Sequence, residues 1–227
     1  MILTNLVFFT IALLLLMFLA DTWLDALNAK EVRANRESVP EAFAEIIDEA
    51  DYQKSARYTL DKISYSIYER LFGLVLIVAV LIFGVYPILF RFFTGIFGSG
   101  VWAQSAALLL SSIILSLFSL PFDWYGQFVL EQKYGFNKST TSLWIADKFK
   151  ETAISLVIGI PLLALLLWFF GAMPNTWWIL GFCVIAVFQV VMLIVYPRVI
   201  LPLFNKLSEL EEGVWQVQKN HTFRHFD

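Results

Sequence analysis

The sequence predicts an all-α, polytopic membrane fold of about five transmembrane helices joined by cytoplasmic helical loops. Three observations predict it. The chain is 59% hydrophobic and only 15% charged, where an ordinary soluble domain is roughly half apolar and about a quarter charged. Its charges are clustered, with no Asp, Glu, Lys or Arg in residues 1–20, 71–90, 92–122 or 152–197. The basic residues also alternate in density from one connection to the next, as the two sides of a membrane demand.

A helix rising about 1.5 Å per residue needs roughly 20 apolar residues to cross about 30 Å of hydrocarbon. Runs 1–20 and 71–90 supply one span each, and 101–122 supplies a third. Run 152–197 is too long for one helix and is interrupted by Gly171-Ala172-Met173-Pro174-Asn175, which carries turn chemistry. It makes two more. Pro161 falls within the fourth span and lacks a backbone donor, which predicts a kink covered by neighbouring helices.

Orientation follows from the basic residues. None precedes Lys30, whereas Lys30, Arg33, Arg36, Lys54, Arg57, Lys62 and Arg70 crowd the first connection. The next holds only Arg91, the third holds Lys133, Lys138, Lys148 and Lys150, and the 171–175 turn holds none. Arg198, Lys206, Lys219 and Arg224 follow the last span. The positive-inside rule therefore puts the N-terminus outside, with loops 25–66 and 123–151 and the C-terminus in the cytoplasm. The expected location is an integral, multi-pass position in a bacterial inner membrane. Trp23, Trp102, Trp124, Trp168, Trp177 and Trp178 fall near the ends of these spans, where indole prefers to sit. A cleaved signal peptide is the weaker reading of run 1–20, because MILTN has no positive n-region and the apolar stretch exceeds a usual h-region.

Several function classes drop out. The single Cys183 lies inside the last span, which leaves no internal disulfide and no cysteine metal site. Nothing resembles a Gly-rich phosphate loop, and no basic-aromatic patch suggests nucleic acid. Polar groups within the spans are sparse and include Gln104, Gln189 and the stripe Ser111, Ser112, Ser116 and Ser119. They fit helix packing better than an ion path, which favours ionisable groups.

The first cytoplasmic segment is organised. Ser38-Val39-Pro40-Glu41 is a plausible helix start, with Ser as cap and Pro in the first turn. Phe43, Ile46, Ile47 and Ala50 recur at helical spacing beside Glu41, Glu45, Asp48, Glu49 and Asp51. Ala56, Leu60, Ile63, Ile67 and Leu71 then step by three and four into the second span. The pattern describes an amphipathic helical hairpin at the membrane surface or against another part of the protein. A binding role for the acids is the lesser alternative.

The segment Glu131–Glu151 belongs outside the bilayer. Burying Asp123, Glu131 and Lys133 at the bilayer centre would cost about 3 kcal/mol each. Gly135 permits positive φ, and Asn137 or Ser139 is placed to cap a helix running through Thr141, Leu143 and Asp147. A well-formed turn and a re-entry helix follow from these residues alone.

Three separated stretches carry a resemblance. Pro121, Tyr125, Phe128, Glu131, Lys133, Gly135-Phe136-Asn137-Lys138, Thr140 or Thr141, and Asp147 look like a loop of the type I CAAX prenyl endopeptidases. Val39-Pro40, Phe43, Tyr52, Lys54-Ser55 and Tyr58 are similar to that family's first loop. Tyr196-Pro197, Ile200 and Pro202-Leu203-Phe204-Asn205-Lys206 are similar to its exit from the fifth span. The resemblance covers 1–213 as an N-terminal membrane domain and leaves 214–227 as a tail outside the family pattern. It implies an integral-membrane zinc metallopeptidase that cuts prenylated or other membrane-associated peptides in a chamber walled by the spans.

The family's chemistry needs His-Glu-x-x-His on a helix, two imidazoles on one face binding Zn²⁺ and the Glu as general base. The chain holds only His221 and His225, with Thr222 where the base would start and Asp227 as the remaining carboxylate. No catalytic, cofactor-binding or metal residue is therefore assigned, and no cofactor is expected in this chain, although the intact family carries zinc. After Gly213 the family pattern gives way to Val214-Trp215-Gln216-Val217-Gln218. A frame change in the gene, natural truncation and a chosen end point each account for that. The expectation is the N-terminal membrane portion of a CAAX-type zinc metalloendopeptidase, inactive alone. The alternative is a non-catalytic membrane binding or assembly subunit. Expected partners are the lipid bilayer and either a prenylated or membrane-associated peptide or a catalytic partner chain, with no nucleic acid.

Overall fold

In the computed structural model, the residues described are 2–37, 39–40 and 46–204. They are helical throughout, with no strand among them. Five helical stretches are long and apolar enough to cross a membrane: Asn5–Asn35, Glu49–Phe83, Val101–Tyr134, Thr141–Ala172 and Trp177–Phe204. Their apolar side chains, among them Phe8, Leu16, Ile77, Phe182 and Leu193, are largely exposed. In water that pattern would be a liability, and in hydrocarbon it is the lipid-facing surface.

The described residues form two compact units that meet between Trp168 and Phe169. In the first, α1 (Ile2–Asn35) lies against α2 (Glu49–Phe83). Both exceed the bilayer, because about 35 residues rise roughly 50 Å. Their charged ends therefore extend beyond the hydrocarbon as helix. Asp21 and Asp25 of α1 pair with Arg70 of α2, and the Tyr52 hydroxyl donates to the Asn35 carbonyl at 3.0 Å. Tyr52, Ala56, Ile63 and Arg70 thus form the α2 face turned to α1, and Ala56 and Ile63 are buried on it.

The predicted stripe from Ala56 to Leu71 does run into the second span as one helix. The predicted helix through Phe43 and Ala50 is different. Ile46 and Ile47 occupy a turn and α2 starts only at Glu49; Ser38 and Phe43 lie outside the described residues. Gly84 then breaks the second span, adopting a left-handed φ of 61° between α2 and α3 (Val85–Phe97). Glycine takes that conformation without the Cβ penalty of other residues.

A short Gly98-Ser99-Gly100 link leads to α4 (Val101–Ser116), which packs antiparallel to α3. The Tyr86 hydroxyl donates to the Leu108 carbonyl at 2.9 Å, which sets that register. From α4 the chain stays helical through a 3₁₀ turn at Leu117–Ser119, α5 (Leu120–Tyr125), a π-helical turn at Gly126–Glu131 and α6 (Gln132–Tyr134). Pro121 in the first turn of α5 cannot donate to the preceding helix, a common cause of such a local change of winding.

Helix α7 (Thr141–Ala172) returns antiparallel to this stretch. Trp144 meets Phe128, Lys148 meets Asp123 at 3.1 Å, and Gly159 faces Leu109. The helix passes through Pro161 without interruption. Contrary to the expected cover, Pro161 is exposed, and it lines an apolar hollow with Trp102 and Trp168. Ala164, almost one turn later, is the buried residue.

The second unit holds the end of α7, the turn Met173–Thr176, α8 (Trp177–Val195), a π-helical turn at Tyr196–Ile200 and α9 (Leu201–Phe204). The predicted break at 171–175 is present: the Trp177 amide donates to the Met173 carbonyl at 2.9 Å, and Phe170 packs edge-on to Trp177. Cys183 is a free, exposed thiol on α8.

Candidate functional site

Two of the three stretches that carry the family resemblance meet in space. A second face of α2, Tyr58, Asp61, Tyr65 and Phe72, runs beside residues 122–136. At its membrane end Phe72 packs on Phe122 with ring centroids 4.7 Å apart. The Tyr65 hydroxyl donates to the Phe122 carbonyl at 2.5 Å, and its ring stacks on Tyr125. Gly126 lies beneath this ring, where a Cβ would be in ordinary contact with the Tyr65 hydroxyl at 3.4 Å. Any larger side chain would push the π-helical turn off α2.

At the other end the contacts become polar. The Tyr58 hydroxyl donates to Glu131 Oε1 at 2.5 Å, and Lys62 Nζ donates to the same hydroxyl at 3.2 Å. Asp61 Oδ2 accepts from both Lys133 Nζ and the Tyr134 hydroxyl, each at 2.6 Å. Tyr58 sits between the rings of Tyr134 and Phe136, with centroids 5.1 and 4.9 Å away. Lys54 completes the cluster with its ammonium 5.8 Å from the Phe136 centroid.

The turn that places these groups is a helix stop with a full set of partners. Gly135 has φ 79°, the Phe136 amide donates to the Glu131 carbonyl at 2.9 Å, and the Gly135 amide donates to Gln132 at 3.1 Å. That pair of bonds is the Schellman arrangement, in which a left-handed glycine closes the last carbonyls of a helix. Phe136, just past the glycine, is thereby aimed at α2. Asn137 Oδ1 accepts from the Ser139 amide at 2.8 Å, an Asx turn. The cap of α7 is neither Asn137 nor Ser139 but Thr140, whose Oγ1 accepts from the Leu143 amide at 3.3 Å. The non-helical stretch is 135–140, and the re-entry helix expected through Thr141, Leu143 and Asp147 is α7.

Between α2 and residues 121–133 lies an open groove of about 540 Å³. Tyr65, Tyr68, Phe122 and Tyr125 line it, and Asp61 with Lys133 closes its polar end. Such a volume and mixed lining fall in the range of small-ligand and peptide sites.

The sequence had marked Tyr58, Glu131, Lys133 and Phe136 but not their counterparts Asp61, Tyr65 and Tyr134. The signal was available: Tyr58, Asp61, Tyr65, Tyr68 and Phe72 step by three and four along α2, a second stripe beside the apolar one. The third stretch begins in the π-helical turn Tyr196–Ile200 of the second unit, and Asn205 and Lys206 lie outside the described residues. His221, His225 and the whole 214–227 tail also lie outside them. Among the described residues, no group of three His, Cys, Asp or Glu side chains is arranged to hold a metal ion. The described residues do not fit the family's zinc.

Comparison with known proteins gives a consistent result. The family model described as CAAX prenyl protease N-terminal, five membrane helices, matches residues 28–206. CAAX prenyl protease 1 of Saccharomyces cerevisiae is 31% identical over 187 residues, covering 77% of this chain and 41% of the yeast protein. The human CAAX prenyl protease 1 homolog is 30% identical over 203 residues, covering 86% of this chain and 42% of the human one. The crystal structure of S. mikatae Ste24p superposes with a TM-score of 0.81 at 28% identity, covering 89% of this chain and 48% of that one. The chain thus spans less than half the length of these relatives.

Proposed function

This chain belongs to the CAAX prenyl protease family, in its N-terminal five-helix region, and we propose from that premise that it forms the membrane wall of a zinc metalloendopeptidase. The wall would border the path of a prenylated or membrane-associated peptide. The observation that carries this reading is the meeting of Tyr58 with Glu131, Tyr134 and Phe136 across 73 or more residues of sequence. Those contacts join two motifs that the sequence holds apart, next to a groove with one aromatic and one ionic end.

On this reading the 227-residue polypeptide does not itself hydrolyse peptides. Hydrolysis by a metallopeptidase route needs a Lewis-acid metal and a base to take the proton of the attacking water. His-Glu-x-x-His occurs nowhere in the sequence, and Thr222 follows His221 where a glutamate would serve. The test is cleavage of a farnesylated peptide by the purified chain, together with its zinc content. Stoichiometric zinc and cleavage, both lost in His221→Ala, would overturn the proposal. Activity that appears only on adding a separate chain bearing His-Glu-x-x-His would replace it with the assembly-subunit reading.

The proposed orientation has the N-terminus outside and loops 25–66 and 123–151 in the cytoplasm, on the alternation of basic residues. A bacterial inner membrane was expected, whereas the relatives named above come from yeasts and human. Charge alternation would orient the chain in the same way in either kind of host. In a Cys183→Ser background, Lys138→Cys should react with an impermeant maleimide only from the cytoplasmic side. Labelling from the outer face would reverse the assignment.

A further inference from the structure

The groove beside Tyr65 is not the only concavity at the charged ends of the helices. On the other side of Asp61, a hollow of about 530 Å³ is lined by Arg36, Lys54, Arg57, Lys133, Asp61 and Tyr134. Four cations face one carboxylate. That carboxylate is already engaged, since Asp61 accepts from both Lys133 and Tyr134. No carboxylate among the described residues pairs with Arg36, Lys54 or Arg57. Lys54 interacts instead with the face of Phe136, 5.8 Å from its centroid.

We propose that this hollow binds a small soluble anion bearing phosphate groups. Two guanidinium forks suit the paired oxygens of a phosphoryl group, and a lysine adds a mobile point charge. The volume lies within the usual range for small ligands. A lipid headgroup offers the same chemistry, but position argues against it. Arg70, with Asp21 and Asp25, marks where the charge-free stretches of α1 and α2 end. Arg57 lies thirteen residues before Arg70 on one helix, about 20 Å away at 1.5 Å per residue. The headgroup layer adds only about 5–8 Å to each side of the hydrocarbon. The hollow therefore opens to water beyond the reach of the bilayer surface, whichever side of the membrane it faces.

The experiment uses the full chain in nanodiscs of pure phosphatidylcholine, titrated with inorganic pyrophosphate by calorimetry. Saturable binding is expected, weakening as salt is raised. Arg36→Gln combined with Arg57→Gln should weaken it by about tenfold or more, as losing hydrogen bonds between charged groups does. Lys30→Gln, which removes one charge on α1 outside the hollow, should leave the affinity nearly unchanged, whereas Arg36→Gln or Arg57→Gln alone, each also removing one charge, should weaken it. Helical circular dichroism and the unliganded unfolding midpoint of each variant check that the fold persists. Absence of saturable binding overturns the proposal, as does an equal loss in Lys30→Gln, which would indicate only general attraction. Binding that appears solely when phosphatidylinositol bisphosphate is placed in the disc, and that depends on Arg57, would transfer the site to a lipid.

Discussion

Along α4 the buried side chains are small, while along the N-terminal half of α2 the contacts are aromatic and ionic. Ser105, Ala107 and Ser111 have no exposed surface at all, and the two serine hydroxyls donate back to carbonyls of their own helix at 2.8 and 2.7 Å. Leu109 reaches the backbone of Gly159 on α7. The α2 seam instead uses Tyr58, Asp61 and Tyr65 against Glu131, Lys133, Tyr134 and Phe136. The difference follows the solvent. In hydrocarbon, apolar side chains gain little by leaving lipid, so helices associate through small residues that let backbones come close. At the water-facing ends, burying a ring is favourable and polar partners fix one register. The crossing of α4 with α7 and the seam of α2 with residues 122–136 are therefore held by two kinds of physics.

That contrast is most easily broken at Gly159. A Cβ there would lie 2.8 Å from Leu109 Cδ1, the movable end of a side chain. Gly159→Ala should be tolerated, whereas Gly159→Leu should overpack the crossing and cost about 1–3 kcal/mol. Unfolding of the purified protein in graded detergent mixtures measures it. A Leu variant as stable as the parent would show that α4 and α7 are not closely packed at this level.

In the seam, Tyr58→Phe keeps the ring between Tyr134 and Phe136 but removes the bond to Glu131. A hydrogen bond to a charged partner is worth roughly 1.5–3 kcal/mol, and partial exposure points to the lower end of that range. The same unfolding assay, repeated with Glu131→Gln and the double variant, gives the coupling between the two positions. Additive losses would mean that the contact contributes packing only.

Gly135→Ala tests the turn itself. A non-glycine residue at a φ of 79° carries about 1 kcal/mol of backbone strain, and the loss should be greater for Gly135→Val. Thr140→Ala should be the mildest change, about 0.5–1 kcal/mol for an exposed cap. Its effect should appear as faster amide exchange at Leu143 and the first turn of α7. If Ser139→Ala has that effect and Thr140→Ala does not, the cap has been assigned to the wrong hydroxyl.

The broad architecture was legible in the sequence because lipid imposes a length and a composition on every span. The charge-free runs and the turn at 171–175 reappear as helices and a helix break. Helix ends beyond the bilayer were less legible. Residues 123–134 carry charge, which argued for a loop, yet charge excludes them only from hydrocarbon and does not prevent helix. The same holds for α1, which continues to Asn35 although its apolar run ends near residue 20. The exposure of Pro161 has a related reason: a proline marks a missing hydrogen bond but not which side of its helix meets a neighbour.

By itself, then, the sequence determined the number of spans, their order and the family, since each depends on local composition or on motifs that can be read along the chain. Only the tertiary structure decided which residues meet. That Asp61 pairs with Lys133, that Tyr58 is held between Tyr134 and Phe136, and that Arg36 comes beside Arg57 depend on how far α2 is rotated and shifted against its neighbours. A helix shows every side chain at one of a few angular positions, and a period of 3.6 leaves two adjacent faces of α2 equally plausible. The choice between them was made by contacts with residues distant in sequence, among them the Gly126 backbone closing on Tyr65 and the left-handed Gly135 turning Phe136 toward Tyr58.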